Sequence, residues 1–162
     1  MEITPAVVVA EYEWTRERAP AIVSVVNETR NRLGELFETD VDEVTQAQYR
    51  EEVDAVFADG TRGVNVAAYV RLLRDLDVED DYPGFVVDEV LGRELAATVA
   101  GGQPLHLLAQ ATFHFADVTT HTEGPAGGDD LDAALAAGFQ TRLPGWGWNE
   151  VESPFSVDVD ER

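Results

Sequence analysis

Residues 101–124 read GGQPLHLLAQATFHFADVTTHTEG, and whether they form a helix or a strand separates an all-helical chain from a mixed one. Pro104 suits a first helical turn, and Leu107, Leu108, Ala111, Phe115 and Val118 then fall on one stripe of a 3.6-residue period. The second half, Thr112 to Thr122, is rich in threonine, phenylalanine and valine, which equally suits a strand. A helix here gives a mainly α fold; a strand gives α+β.

The same stretch holds all three histidines of the chain, His106, His114 and His121. On a helix they share one side of the wheel, at about 0°, 80° and 60°. Along the axis they stand roughly 12 and 10.5 Å apart, whereas each ligand of a zinc ion sits about 2.0–2.1 Å from it. One straight helix therefore cannot bring two of them to one metal. His114, Asp117 and His121 form a tighter set, because residues three and four apart on a helix meet. A divalent transition metal could take one of these histidines with Asp117, completed by carboxylates from neighbouring helices. The plainer expectation is no cofactor, with Asp117 a hydrogen-bond or ion-pair partner at the edge of the core. In a strand, His114 and Asp117 face opposite sides and the set dissolves.

Upstream, Val86, Val87, Val90, Leu91, Leu95 and Val99 cover more than half of a helical wheel between Phe85 and Ala100, which predicts the most central helix, ended by Gly101 and Gly102. Downstream, Asp129 and Asp130 suit a helix N-terminus, with Leu131, Ala134, Leu135, Phe139 and Leu143 as its inner face. The clearest stripe is Ile22, Val25, Val26, Leu33, Leu36 and Phe37, with Glu28, Arg30, Asn31, Arg32 and Glu35 on the outer side. Thr4 and Pro5 mark the start of a helix over Val7, Val8, Val9, Tyr12 and Trp14, although Val8, Ala10, Tyr12 and Trp14 would also share one face of a strand.

Thr45 and Gln48 have the spacing of a capping box, and Tyr49, Val53, Val56 and Phe57 follow as a stripe to Ala58. After a turn over 59–63, Asn65 caps a partner helix bearing Val66, Tyr69, Val70, Leu73 and Leu76. The expected fold is a mainly α bundle of about five to seven helices in a single domain over residues 1–143. Short terminal strands are a variant, and α+β is the alternative. Residues 144–162 form a tryptophan-containing acidic tail, packing on the bundle or extending from it. In it Trp146 and Trp148 either anchor an interface or seal the end of the bundle, while Phe155, Val157 and Val159 alternate with polar residues as in an edge strand or extended tail.

Composition sets the environment. The chain has 32 acidic residues against 11 basic ones, a formal charge of −21, with an ordinary apolar fraction of 44%. Every basic residue is arginine. An acidic coat, no lysine and a pI near 4.2 resemble the cytoplasmic proteins of salt-in extreme halophiles. Self-repulsion of that size loosens a small fold in dilute buffer and is screened when the Debye length falls to about 3 Å at 1 M salt. The charge also argues against general nucleic-acid binding, which depends on neutralising phosphates. Without cysteine there is no disulfide, thiol nucleophile or cysteine-ligated zinc. MEITPAVVVAEYEW lacks the basic start of an export signal, and no apolar run approaches a membrane span of about 18 residues, so a cytoplasmic location is expected.

No glycine loop matches a phosphate cradle and no serine sits in a nucleophile elbow. Aligned on Gly63, the 49–76 hairpin places Ala58, Gly60, Arg62 and Tyr69 where an EF-hand needs oxygen ligands, so calcium binding in that mode fails. The expected function is a protein-binding or accessory module with a protein partner or self-association, as a homodimer for example. A metal-dependent enzyme using His114, Asp117 and His121 is the alternative. A helix-turn-helix regulator built on Arg50, Arg62, Arg71 and Arg74 comes third, with Arg71 and Asp75 otherwise an ordinary helix pair.

Overall fold

The computed structural model describes residues 2–36, 38, 40–75, 90–119 and 126–145. Among these the chain forms seven α-helices and no strand: α1 Pro5–Glu17, α2 Ala19–Leu36, α3 Gln46–Ala58, α4 Gly60–Asp75, α5 Arg93–Ala100, α6 Leu105–Thr119 and α7 Ala126–Arg142. The fold is a mainly α bundle.

Both ambiguous stretches are helical as far as the described residues reach, to Thr119 in the second, for local reasons. At α1, the Thr4 hydroxyl accepts from the Val7 amide at 3.2 Å and Pro5 fills the first turn, which removes the N-terminal strand reading. Within α6, the Thr112 hydroxyl donates to the Leu108 carbonyl at 2.9 Å, so a residue that suits strands closes on its own helix instead. The expected strand at 155–159 lies outside the described residues. Ahead of α3 the capping box is complete, with the Gln48 amide donating to Thr45 Oγ1 at 3.1 Å and the Thr45 amide to Gln48 Oε1 at 2.9 Å. The next helix begins well before Asn65. Asp59 caps it, accepting from the Arg62 amide at 3.2 Å through its side chain and from the Gly63 amide at 2.7 Å through its carbonyl.

The central helix is α7, not the 85–100 stretch. Every residue from Leu131 to Thr141 is buried, and α2, α3, α4, α5 and α6 all pack on it. Sequence pattern pointed elsewhere because large apolar side chains mark a buried helix more loudly than alanine does. Ala133, Ala134, Ala136 and Ala137, all buried, instead let neighbours approach from several sides, since small side chains at a contact shorten the helix spacing. Gly138 extends this: a Cβ there would stand 2.8 Å from both the Ala96 carbonyl oxygen and the Val99 Cβ of α5. Of the 85–100 stretch, residues 90–92 form a π-helical turn leading into α5, in which Leu95, Ala96, Ala97, Val99 and Ala100 are buried. Residues 85–89 lie outside the described residues.

A second correction concerns α2. Arg30, expected on the outer face, is 1% exposed, whereas Leu36 is 61% exposed. Arg30 follows Val26 by four residues and precedes Leu33 by three, so helix geometry puts it on the inner stripe. Its guanidinium is held there by carbonyls. Nη1 donates to Asp42 O at 3.0 Å and to Pro144 O, and Nη2 donates to Gln140 O at 2.8 Å and Leu143 O at 2.9 Å. Arg30 thus caps the C-terminus of α7 from a different helix, where free carbonyls and the helix dipole both favour a cation. Burial lowers its pKa from 12.5 to about 10, with Asp42 opposing the shift, so it is charged at neutral pH. Gly145 completes the cap in a left-handed conformation, φ +104°, where a side chain would also meet Arg30 Nη1 at 2.9 Å.

Candidate functional site

Val7, Val8 and Val9 are consecutive, and on a helix three successive side chains fan over about 200°, so one must leave the core. That residue is Val9, 54% exposed. Beside it, α1 and α3 run antiparallel: Tyr12 meets Phe57 edge-on with ring centroids 5.4 Å apart, while about two turns back along α3 the Tyr49 hydroxyl donates to the carbonyl of Thr15, about one turn on along α1, at 2.7 Å. Between the two helices Val8, Val9, Tyr12, Asp54, Phe57 and Ala58 line an open groove of about 260 Å³.

One wall of the groove is fixed by a polar tie. The Tyr12 hydroxyl donates to Asp54 Oδ1, and Arg16 Nε donates to the same oxygen at 3.1 Å. Acceptance by Asp54 raises the phenol above its ordinary pKa of 10, so Tyr12 stays a neutral donor. Asp54 lines the groove, and on the α3 side Glu51, one turn from Asp54, and Asp59, next to Ala58, are exposed, whereas Glu13 lines a separate cleft with Arg71 and Arg74. The result is an apolar groove with acids along its α3 side. Its lining is four apolar side chains, Val8, Val9, Phe57 and Ala58, with the bonded pair Tyr12 and Asp54. The sequence did carry a signal for it, since a run of three valines on a helix exceeds what one buried face can take.

The chain belongs to the family described as Domain of unknown function (DUF7984), whose family model matches residues 1–159. Neither a curated protein nor a solved structure matches it. That family membership covers nearly the whole chain and assigns no activity to the groove.

The residues singled out by sequence are only partly brought together. His114 is exposed on α6 with Asp117 one turn further along and half-buried; His121 lies outside the described residues. Among the described residues no group of three or more histidines and carboxylates is placed to hold a metal. His114 instead contacts Phe115, with ring centroids 6.2 Å apart. Trp146 and Trp148 also lie outside the described residues.

Two of the four hairpin arginines, Arg71 and Arg74, turn to a buried carboxylate. Glu11 of α1 is fully buried, and its carboxylate receives Arg74 Nη1 at 2.7 and 2.9 Å and contacts Arg71 Nε at 2.8 Å. Arg71 therefore pairs across helices with Glu11 rather than along its own helix with Asp75. Arg74 also stacks on Trp14, its Cζ 4.6 Å from the ring centroid. Arg62 lies 4.0 Å from Asp59, and Arg50 donates to Gln46 at 3.2 Å. No described helix is long and apolar enough to cross a membrane.

A further tie has a pH signature. Arg18, at the α1–α2 junction, pairs with Asp132 of α7, whose side chain is only 8% exposed. Burial raises the Asp132 pKa above 3.8, and Arg18 pulls it back down. A carboxyl raised on folding holds its proton more tightly in the folded chain. Its contribution to stability is therefore full below the unfolded value and is lost as pH rises through the folded one. Arg18→Met removes the compensating cation. The variant is expected to lose about 1–3 kcal/mol at pH 7, discounted for the partial exposure of Arg18, and clearly less at pH 4, where Asp132 takes up its proton. Urea melts at both pH values check this; equal losses at the two would contradict it.

Proposed function

We propose that this chain is a protein-binding module whose α1–α3 groove takes an apolar side chain flanked by basic residues on its partner. The observation that carries the reading is Val9, 54% exposed at the rim of a groove also lined by Val8, Tyr12, Phe57 and Ala58. An apolar patch with acid along one side marks an interaction site more than a scattered apolar residue does, and an acidic side favours basic partners. Engagement of Arg71 and Arg74 by Glu11 supports a protein partner over nucleic acid, since phosphate contacts need cations free to leave their own carboxylates.

The test uses a helical peptide with one leucine anchor between arginines. Val9→Asp places a charge at the rim without touching the core. It is expected to weaken peptide binding at least tenfold, about 1.4 kcal/mol, while the thermal midpoint stays within a few degrees. Undiminished binding would contradict the reading.

The proposed setting is the cytoplasm of a cell that balances its surroundings with potassium salt. The support is the charge of −21 with no lysine, and the described ion pairs leave most acids facing solvent. The thermal midpoint is expected to rise markedly between 0.1 and 2 M KCl as repulsion is screened, roughly as the Debye length falls from about 10 Å to below 3 Å. An unchanged midpoint would remove the halophile reading and leave the groove untouched.

A further inference from the structure

Among the seven described helices α1 stands apart. Each of the other six buries at least three apolar side chains, whereas the buried residues of α1 are Glu11 and Thr15. Its apolar side chains stop short of the core: Val7, Val8, Tyr12 and Trp14 are half-buried, and Val9 is exposed.

What holds α1 down is mainly polar. The Glu11 carboxylate takes Arg71 and Arg74 of α4, Tyr12 and Arg16 both donate to Asp54 of α3, and the Thr15 carbonyl accepts from the Tyr49 hydroxyl. Two ring contacts, Tyr12 with Phe57 and Trp14 with Arg74, join them. Such ties fix where a helix sits more than how firmly. Arg16 and Asp54 are 43% and 45% exposed, and pairs that exposed contribute little. The attraction of buried Glu11 for its arginines is largely offset by its own dehydration. Helices that bury apolar stripes have no such offset, so the weakest attachment in the fold is that of α1.

The chain has a joint where α1 ends. Arg18 interrupts the helix, and Pro20 has no amide with which to continue its hydrogen-bond ladder. Arg18 pairs with Asp132 of α7, which keeps the joint on the body when the rest of α1 moves. Once detached, α1 does not persist as a helix. Its 13 residues are of marginal length for an isolated helix, and three consecutive valines disfavour it further.

We propose that α1 is a latched helix, which leaves the α2–α7 body as one unit by a local opening easier than global unfolding, so that the α1–α3 groove exists only while α1 is docked. Val8, Val9 and Tyr12 are three of the six residues that line the groove, so the opening dismantles it. The inference sets when the groove is formed and rests on the reading above only for what binds there.

Native-state amide exchange of the full chain in molar KCl, without peptide and at several low urea concentrations, tests it. The amides of residues 9–17 are expected to share one opening, at least tenfold more populated than the opening that exposes residues 135–141 of α7. It is also expected to depend less on urea, because it uncovers less surface. Exchange of both groups on one urea line overturns the proposal, and so does separate opening of the α1 amides with unrelated populations. A second measurement uses the lack of cysteine in the chain. Thr15 is 0% exposed, and its hydroxyl has no hydrogen-bond partner among the described residues, so Thr15→Cys places a single thiol beneath the latch. Without urea it is expected to react with a small disulfide reagent at least tenfold faster than the variant's own global unfolding allows. A rate no faster than that overturns the proposal. Should Thr15→Cys fail to fold, amide exchange of the unaltered chain decides. Neither measurement contains peptide, so failure here leaves the groove reading to the Val9→Asp test.

Discussion

Replacing Arg30 with methionine is expected to remove about 3–5 kcal/mol of stability, the range for breaking a buried charged network from one side. Methionine keeps the apolar stem but loses the guanidinium and with it four hydrogen bonds. Asp42 O, Gln140 O, Leu143 O and Pro144 O, all held by the guanidinium, are then left without that partner at a buried helix end. Hydrogen bonds to a charged group contribute about 1.5–3 kcal/mol each when measured singly, and the group acts as a unit, so the loss falls well below their sum. Arg30→Lys is expected to recover only a minor part. An ammonium keeps the charge, but a point donor cannot span carbonyls from two segments as the planar fork does. Urea melts in molar KCl check both, read from the midpoint at constant slope. A loss under 1 kcal/mol for Arg30→Met would show that water replaces the fork and that the cap is not structural.

At Glu11 the expected result is an asymmetry. Its carboxylate is fully buried, while Arg71 and Arg74 are 31% and 35% exposed. Converting both arginines to methionine leaves a buried carboxylate without compensation and is expected to cost about 3–5 kcal/mol at pH 7. Glu11→Met leaves two guanidiniums that water can still reach and is expected to cost only about 1–2 kcal/mol. Combining all three changes should cost less than the arginine pair alone, because the uncompensated charge is gone. The three melts form one cycle. If Glu11→Met proves as damaging as the double arginine change, the uncompensated buried carboxylate is not the costly group and the asymmetry fails.

These two sites also show where sequence reading stops. Helix periodicity, the Thr4 cap and the Thr45–Gln48 box are local properties, and each names its element without reference to the rest of the chain. Arg30 and Glu11 are not local. Both occupy core positions of their helical stripes, but a charged residue there reads as exposed until a partner is known. Apart from Asp42, 12 residues from Arg30, the partners lie 110 to 114 and 60 to 63 residues away. The same holds for α7, whose alanines become central only because five helices converge on them. At the groove, three consecutive valines signalled that one would be surplus to the core, but only the antiparallel placement of α3 brings Phe57 and Ala58 beside it. The histidines, by contrast, drew notice for their rarity. His114 and Asp117 share α6 as helix spacing requires, yet among the described residues no group of three or more histidines and carboxylates could hold a metal.

The reading of the groove is tested most directly by mapping where an anchored peptide binds. Amide and methyl spectra of the labelled full chain in molar KCl would be followed during titration with a helical peptide carrying a single leucine between arginines. A control peptide would have serine in place of the leucine. The groove reading predicts changes concentrated at Val8, Val9, Tyr12, Phe57 and Ala58, absent with the serine peptide and abolished by Val9→Asp. Changes spread over the acidic surface and identical for both peptides, or none at these five residues, would contradict it.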